Sequence, residues 1–192
     1  MNYNSYQRLM KNKYALSTVI TTLIILVVSI LLASVLTYFA VNVVSTRVQE
    51  ESLHVSKPHL WVDSNDNAEA AIMVTNNGGR DVVMDKIAVR GQESDWTDVF
   101  YSVVDIDTDD LSLDLAHVTS PVAAGNDLGP ADPARQATKD LILPSGSTIV
   151  IYVNDPDSIS INDIGLTVSI AIHSAQAVYY CEVNIQAHIV EP

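Results

Sequence analysis

From Tyr14 to Thr46 the chain runs for thirty-three consecutive residues without a charge, a proline or a glycine. As a helix such a run is about 50 Å long, whereas about 20 apolar residues are enough to cross a bilayer. A single small domain cannot bury a helix of that length, so lipid or other helices must cover it. Arg8, Lys11 and Lys13 precede the run, the charge pattern of a segment whose N-terminal end stays inside. A cleaved secretory signal fits poorly. Its apolar core spans about 7–15 residues and ends in small residues, and the nearest such site, Tyr38-Phe39-Ala40, begins with a bulky ring.

The remainder has the opposite character. Overall the 192 residues are 48% hydrophobic and only 17% charged, yet carry a formal net charge of −13. Residues 1–58 hold five basic and two acidic side chains; residues 59–192 hold five basic and 21 acidic. A basic, apolar head is thus joined to an acidic body. Such a body has no basic face with which to displace counterions from DNA or RNA, so nucleic acid is excluded as a partner. The single Cys181 excludes an internal disulfide and any multi-cysteine metal site.

The apolar run is rich in β-branched residues, and small or hydroxylated side chains recur four apart at Ser29, Ala33 and Thr37, with Thr18 and Thr22 a similar pair earlier. Stripes of this kind let helix backbones approach closely. They mark these five residues as candidates for helix packing and assembly. The stretch KNKYALSTVITTLIILVVSILLASVLTYFA (11–40) resembles the start of an archaeal type IV pilin or archaellin precursor. Such precursors have a short basic leader, a cut by a prepilin-type peptidase, and a long apolar helix retained in the mature subunit. Ser17-Thr18-Val19-Ile20 stands where many of them carry Ser-Pro-Val-Ile, and Ile20 takes the place of the Glu of bacterial pilins. The resemblance implies cleavage between Ala15 and Leu16, although Tyr14 replaces the usual basic residue two positions before the cut. It also implies polymerisation with identical or related subunits through the helix. The amphipathic stretch 47–57 is expected to continue the helix until Pro58 stops it.

Residues 59–192 read as β structure, with strands expected at 59–63, 68–75, 81–90, 97–104, 140–143, 147–153, 164–173 and 177–189. The turn cluster TNNGGRD (75–81) predicts a hairpin between the second and third of these. The clearest alternation lies in the last pair. Leu166, Val168, Ile170 and Ile172 share one face, as do Tyr179, Cys181, Val183, Ile185 and Ala187, which sets His173 opposite Val178. The expected architecture is α+β: a long N-terminal hydrophobic helix followed by an all-β, antiparallel, immunoglobulin-like sandwich. The chain divides into a leader (1–15), a filament-core or transmembrane helix with its junction (16–58), and an acidic surface domain (59–192). Residues 104–137, rich in Asp, Gly and Pro, read as a long surface excursion.

Catalytic signals are missing: no P-loop, dinucleotide fingerprint or nucleophile elbow occurs, and no enzyme or cofactor is expected. Asp105, Asp107 and Asp109 have the opening rhythm of a calcium loop, but Asp110 stands at the sixth position and Ala116 at the twelfth. They read as a solvated acidic loop and remain the only candidates for a loosely held divalent cation. His54, His59, His117, His173 and His188 form no metal-ligand pattern, and no Asn-x-Ser/Thr sequon is present. The function expected is that of a structural subunit of an archaeal surface filament, in the membrane as precursor and extracellular when mature. The alternative is a single-pass surface binding protein that does not polymerise.

Overall fold

The computed structural model describes residues 3–48, 50–104, 112–118, 122–128 and 133–188. It contains two compact units, residues 1–47 and residues 48–192. The first is one helix, α1 (Tyr3–Val48), unbroken because nothing in it disrupts the backbone ladder. It ends earlier than expected. In place of a helical extension to Pro58, a strand, β1 (Leu53–Val62), begins within the amphipathic stretch. Leu53 is buried in the core and Val55 packs against it, while His54 between them faces solvent, which is strand alternation rather than a helical stripe. Pro58 sits at a register shift between Ser56 and His59, where Lys57 adopts φ 49°. A residue without an N–H is tolerated at such a bulge.

The second unit adds β2 (Ala68–Asn76), β3 (Val82–Val89), β4 (Gln92–Glu93), β5 (Val99–Val104), β6 (Arg135–Gln136), β7 (Leu141–Leu143), β8 (Thr148–Asn154), β9 (Thr167–Ser174) and β10 (Val178–Ala187). They join in one continuous curled sheet, a half-barrel, in the order β4-β3-β9-β10-β1-β2-β8-β5-β6, with β7 on β3. Pairing is antiparallel except between β1 and β10, which run parallel with Leu60 beside Ile185. The sheet is therefore not wholly antiparallel, as its pattern had suggested.

The hairpin between β9 and β10 forms in the expected register, with Val178 opposite His173. Val168, Ile170, Ile172, Val183 and Ile185 all point into the core. Leu166 departs from the pattern; it precedes β9 and is 47% exposed. The hairpin expected between β2 and β3 does not form. β2 pairs with β1 and β8, whereas β3 pairs with β4, β7 and β9. The intervening segment is a crossover between the two halves of the curl, fastened by buried Asn76. Its Nδ2 donates to the carbonyls of Arg80 and Leu143, and its Oδ1 accepts from Gly78 N. Gly78 is needed for close approach, since a Cβ there would lie 2.6 Å from the Glu50 carbonyl oxygen.

Inside the curl, Leu60, Ile72, Met84, Ile87, Ile151 and Ile170 belong to one apolar cluster drawn from both halves. A second cluster covers the outer face of β1, β2, β5 and β8. There Trp61, Met73, Phe100, Val150 and Tyr152 pack against Leu115, Val122, Leu128 and Ala134 of the excursion. Strands β2 and β8 are consequently buried on both faces, so the excursion is part of the fold as well as of the surface.

Candidate functional site

Every residue of α1 from Leu16 to Thr46 is exposed in the isolated chain, and this is the helix long and apolar enough to cross a membrane. Its polar side chains do not spoil that surface. Thr22 Oγ1 donates to the Val19 carbonyl, Ser29 Oγ to Ile25 and Thr37 Oγ1 to Ala33, at 2.7–2.9 Å. Hydroxyls bonded to their own helix offer no unpaired donor to an apolar neighbour, which removes the main penalty for placing them in lipid or against another helix. Thr18, Thr22, Ser29, Ala33 and Thr37 all lie on this exposed helix, and the Ala15–Leu16 bond falls within its backbone ladder. Asp105, Asp107 and Asp109 lie outside the described residues. Among the described residues no group of three His, Cys, Asp or Glu side chains is placed to hold a metal ion.

In the body, the structure unites residues that are far apart in sequence. On the outer face His59 stacks on Trp61 at 4.9 Å, His117 meets Trp61 edge-on, and His117 stacks on His188 at 3.7 Å between ring centroids. His59 Nε2 pairs with Asp114 Oδ1 at 2.9 Å, which holds the Asp114 carboxyl below its usual range. Burial, and then the charge of His188, pull the His117 pKa down, against an opposing pull from Asp63.

Glu69 in β2 is the most unusual group. It is 1% exposed, its Oε1 accepts from Val118 N at 3.0 Å, and its Oε2 is buried without a hydrogen-bond partner among the described residues. Burial pushes its carboxyl up to about 7, only partly offset by the Val118 bond. Beside it, the Tyr152 hydroxyl donates to the Ala116 carbonyl; burial first, then the Glu69 charge, hold this phenol above its usual range. The sequence carried one legible hint of this. Glu69 shares a strand face with Ala71 and Met73, where an acid is out of place.

A separate hollow of about 480 Å³ is lined by Glu93, Asp95, Trp96, Asp98, Asp155 and Asp157 among others. Burial and the neighbouring charges of Asp95, Asp157 and Asp155 raise the Asp98 carboxyl. Cys181 is half-buried against the inner core, and burial raises its thiol despite a contact with the Ile170 carbonyl.

No family model and no curated protein matches the chain. Among solved structures, it is similar to a family 123 glycoside hydrolase from Clostridium perfringens at 10% identity and a TM-score of 0.33. That match covers 73% of this chain and 27% of the hydrolase. A β-glucosidase from Listeria innocua, in complex with glucose, matches at 10% identity and a TM-score of 0.26, over 73% of this chain and 16% of its own. The β-glucosidase EmGH1 from Erythrobacter marinus matches at 14% and 0.27, over 70% and 15%. The chain thus spans about a quarter or less of these enzymes, and at such scores the likeness carries no functional argument.

Proposed function

We propose that this chain is a structural subunit of an archaeal cell-surface filament of the type IV pilus or archaellum kind. It enters the membrane as a precursor, loses residues 1–15 to a prepilin-type peptidase, and polymerises with copies of itself or related subunits through the helix from Leu16. The observation that carries this reading is the helix itself. Residues 16–46 have no charge, carry hydroxyls that bond their own backbone, and are exposed along their whole length in the monomer. Such a surface needs a cover, and moving from lipid into a bundle of like helices keeps it covered throughout. The resemblance of residues 11–40 to archaeal pilins supports the direction of the argument. In this reading the two halves of the curled sheet face each other across their shared core as an immunoglobulin-like sandwich, displayed outside the cell.

The acidic body suits that position. Like charge on neighbouring filaments resists lateral aggregation and keeps the surface hydrated, an effect that salt weakens. The test is the native protein recovered from cell-surface material, examined by negative-stain microscopy and intact mass. Filaments built from a chain that begins at Leu16 are expected. A full-length chain retained in the membrane fraction without filaments would overturn the proposal in favour of a single-pass surface binding protein.

A further inference from the structure

We infer that the stretches 112–118 and 122–128 form a proton-coupled cover, docked on the outer face of the sheet while Glu69 is neutral and loosened when it ionises. The geometry carries this. The cover is fastened by a row of contacts: Lys57 Nζ to the Leu113 carbonyl, His59 to Asp114, Tyr152 to the Ala116 carbonyl, and Asn154 to both the N–H and the carbonyl of Val122. In the middle of the row, the Val118 N–H donates to Glu69, the carboxyl that the docked cover helps to seal from water. One Glu69 oxygen is satisfied and the other has no donor among the described residues. A neutral acid tolerates that arrangement, whereas a carboxylate with a single N–H is short of donors in a site water does not reach. Lifting the cover readmits water and relieves the charge.

The surrounding titratable groups decide the sign. From β1 and the turn after it come His59 and Asp63; from β8, Tyr152; from the end of β10, His188; from the cover, Asp114, His117 and Asp127. Burial of Glu69 opposes its ionisation in the docked state, and the Val118 N–H offsets this only in part. His117 pulls the other way, because burial first, and then the His188 ring stacked on it, make it harder to protonate docked than open. The Glu69 contribution is fully present below pH 4.5 and is lost as pH rises through about 7. The His117 contribution is present above pH 6.5 and is lost as pH falls below it. Docking is therefore tightest in mildly acidic solution and weakens toward alkaline pH. Its loss uncovers Trp61, Phe100 and Tyr152.

The test is hydrogen exchange on the full chain in detergent micelles, reading residues 113–118 after correction for the intrinsic pH dependence of exchange. A carboxyl that moves from 4.5 in the open form to about 7 when docked contributes a loss of protection of about 30-fold between pH 5.5 and 8.5, of which the opposing His117 contribution returns at most about 10-fold, so wild type still loses protection. Glu69→Gln keeps the acceptor for Val118 and cannot ionise, so only the His117 contribution remains and protection should hold level or rise over that range. Trp61 emission, isolated by Trp96→Phe, should shift to the red in wild type over the same interval. Tyr152→Phe should loosen the cover at every pH and leave its pH dependence intact. The inference is overturned by wild-type protection that does not fall between pH 5.5 and 8.5, or by a Glu69→Gln chain with the wild-type profile. The first outcome needs no variant to fold.

Discussion

Replacing Asn76 by Ala tests the crossover that takes the place of the expected hairpin. Asn76 is fully buried and its amide makes three hydrogen bonds: to the Leu143 carbonyl at 3.0 Å, to the Arg80 carbonyl at 2.8 Å, and from Gly78 N at 2.9 Å. The main-chain bonds of residue 76 to Ser147 and Gly146 survive the substitution, so the loss is confined to the side chain. Only the Leu143 carbonyl lies deep in the core, and leaving it unpaired costs about 1–3 kcal/mol. Gly78 and Arg80 lie nearer solvent and recover water, so each lost bond there costs about 1 kcal/mol. The sum is about 3–5 kcal/mol, read as a lower denaturation midpoint of the body in the full chain by tryptophan fluorescence. Asn76→Asp sharpens the test, because it keeps the acceptor for Gly78 and turns a charged oxygen toward two carbonyls. It should be worse than Ala at pH 7 and improve as the solution is acidified. A loss below about 1 kcal/mol for Ala, or an Asp variant as stable as Ala at pH 7, would refute the assignment of Asn76 as the fastening donor.

Three further outcomes follow from the packing. Ile151→Ala, at a fully buried position of β8 on the inner face, should destabilise the body by about 2–5 kcal/mol through lost burial and a residual cavity; a shift under 1 kcal/mol in chemical denaturation would mean that this core collapses freely. Cys181 should react with maleimide at pH 7 much more slowly than in the denaturant-unfolded chain, because its raised, half-buried thiol supplies little thiolate; equal rates would place it outside the core. Ala33→Trp should abolish filaments seen by negative stain while the precursor still fractionates with membranes, since a bulky ring blocks close helix approach but not insertion into lipid. Filaments from that variant would remove the small-residue stripe from the assembly surface.

Some of this structure was legible in the chain alone, and some was not. Strong local patterns were read correctly: the uncharged run gave a single unbroken helix, and alternation along residues 167–187 gave both the β9–β10 pairing and its register. Pairing between distant segments was a different matter. The TNNGGRD cluster has all the composition of a hairpin turn, yet whether it closes one or crosses the curl depends on partners such as Leu143, Glu50 and Ser52, which local sequence does not specify. In the same way, residues 53–58 alternate too briefly to outweigh their helical appearance until β2 offers a strand to pair with.

Sequence by itself determined the division into an apolar head and an acidic body, because charge and hydropathy are properties of the residues and no folding alters them. It also determined that the helix requires a cover from outside its own domain. Only the tertiary structure decided that Glu69 lies under a docked excursion whose His117 stacks on His188. Their chemistry comes from burial and from neighbours some fifty to seventy residues away along the chain. Burial of that kind exists only once the sheet has curled and the excursion has closed over it.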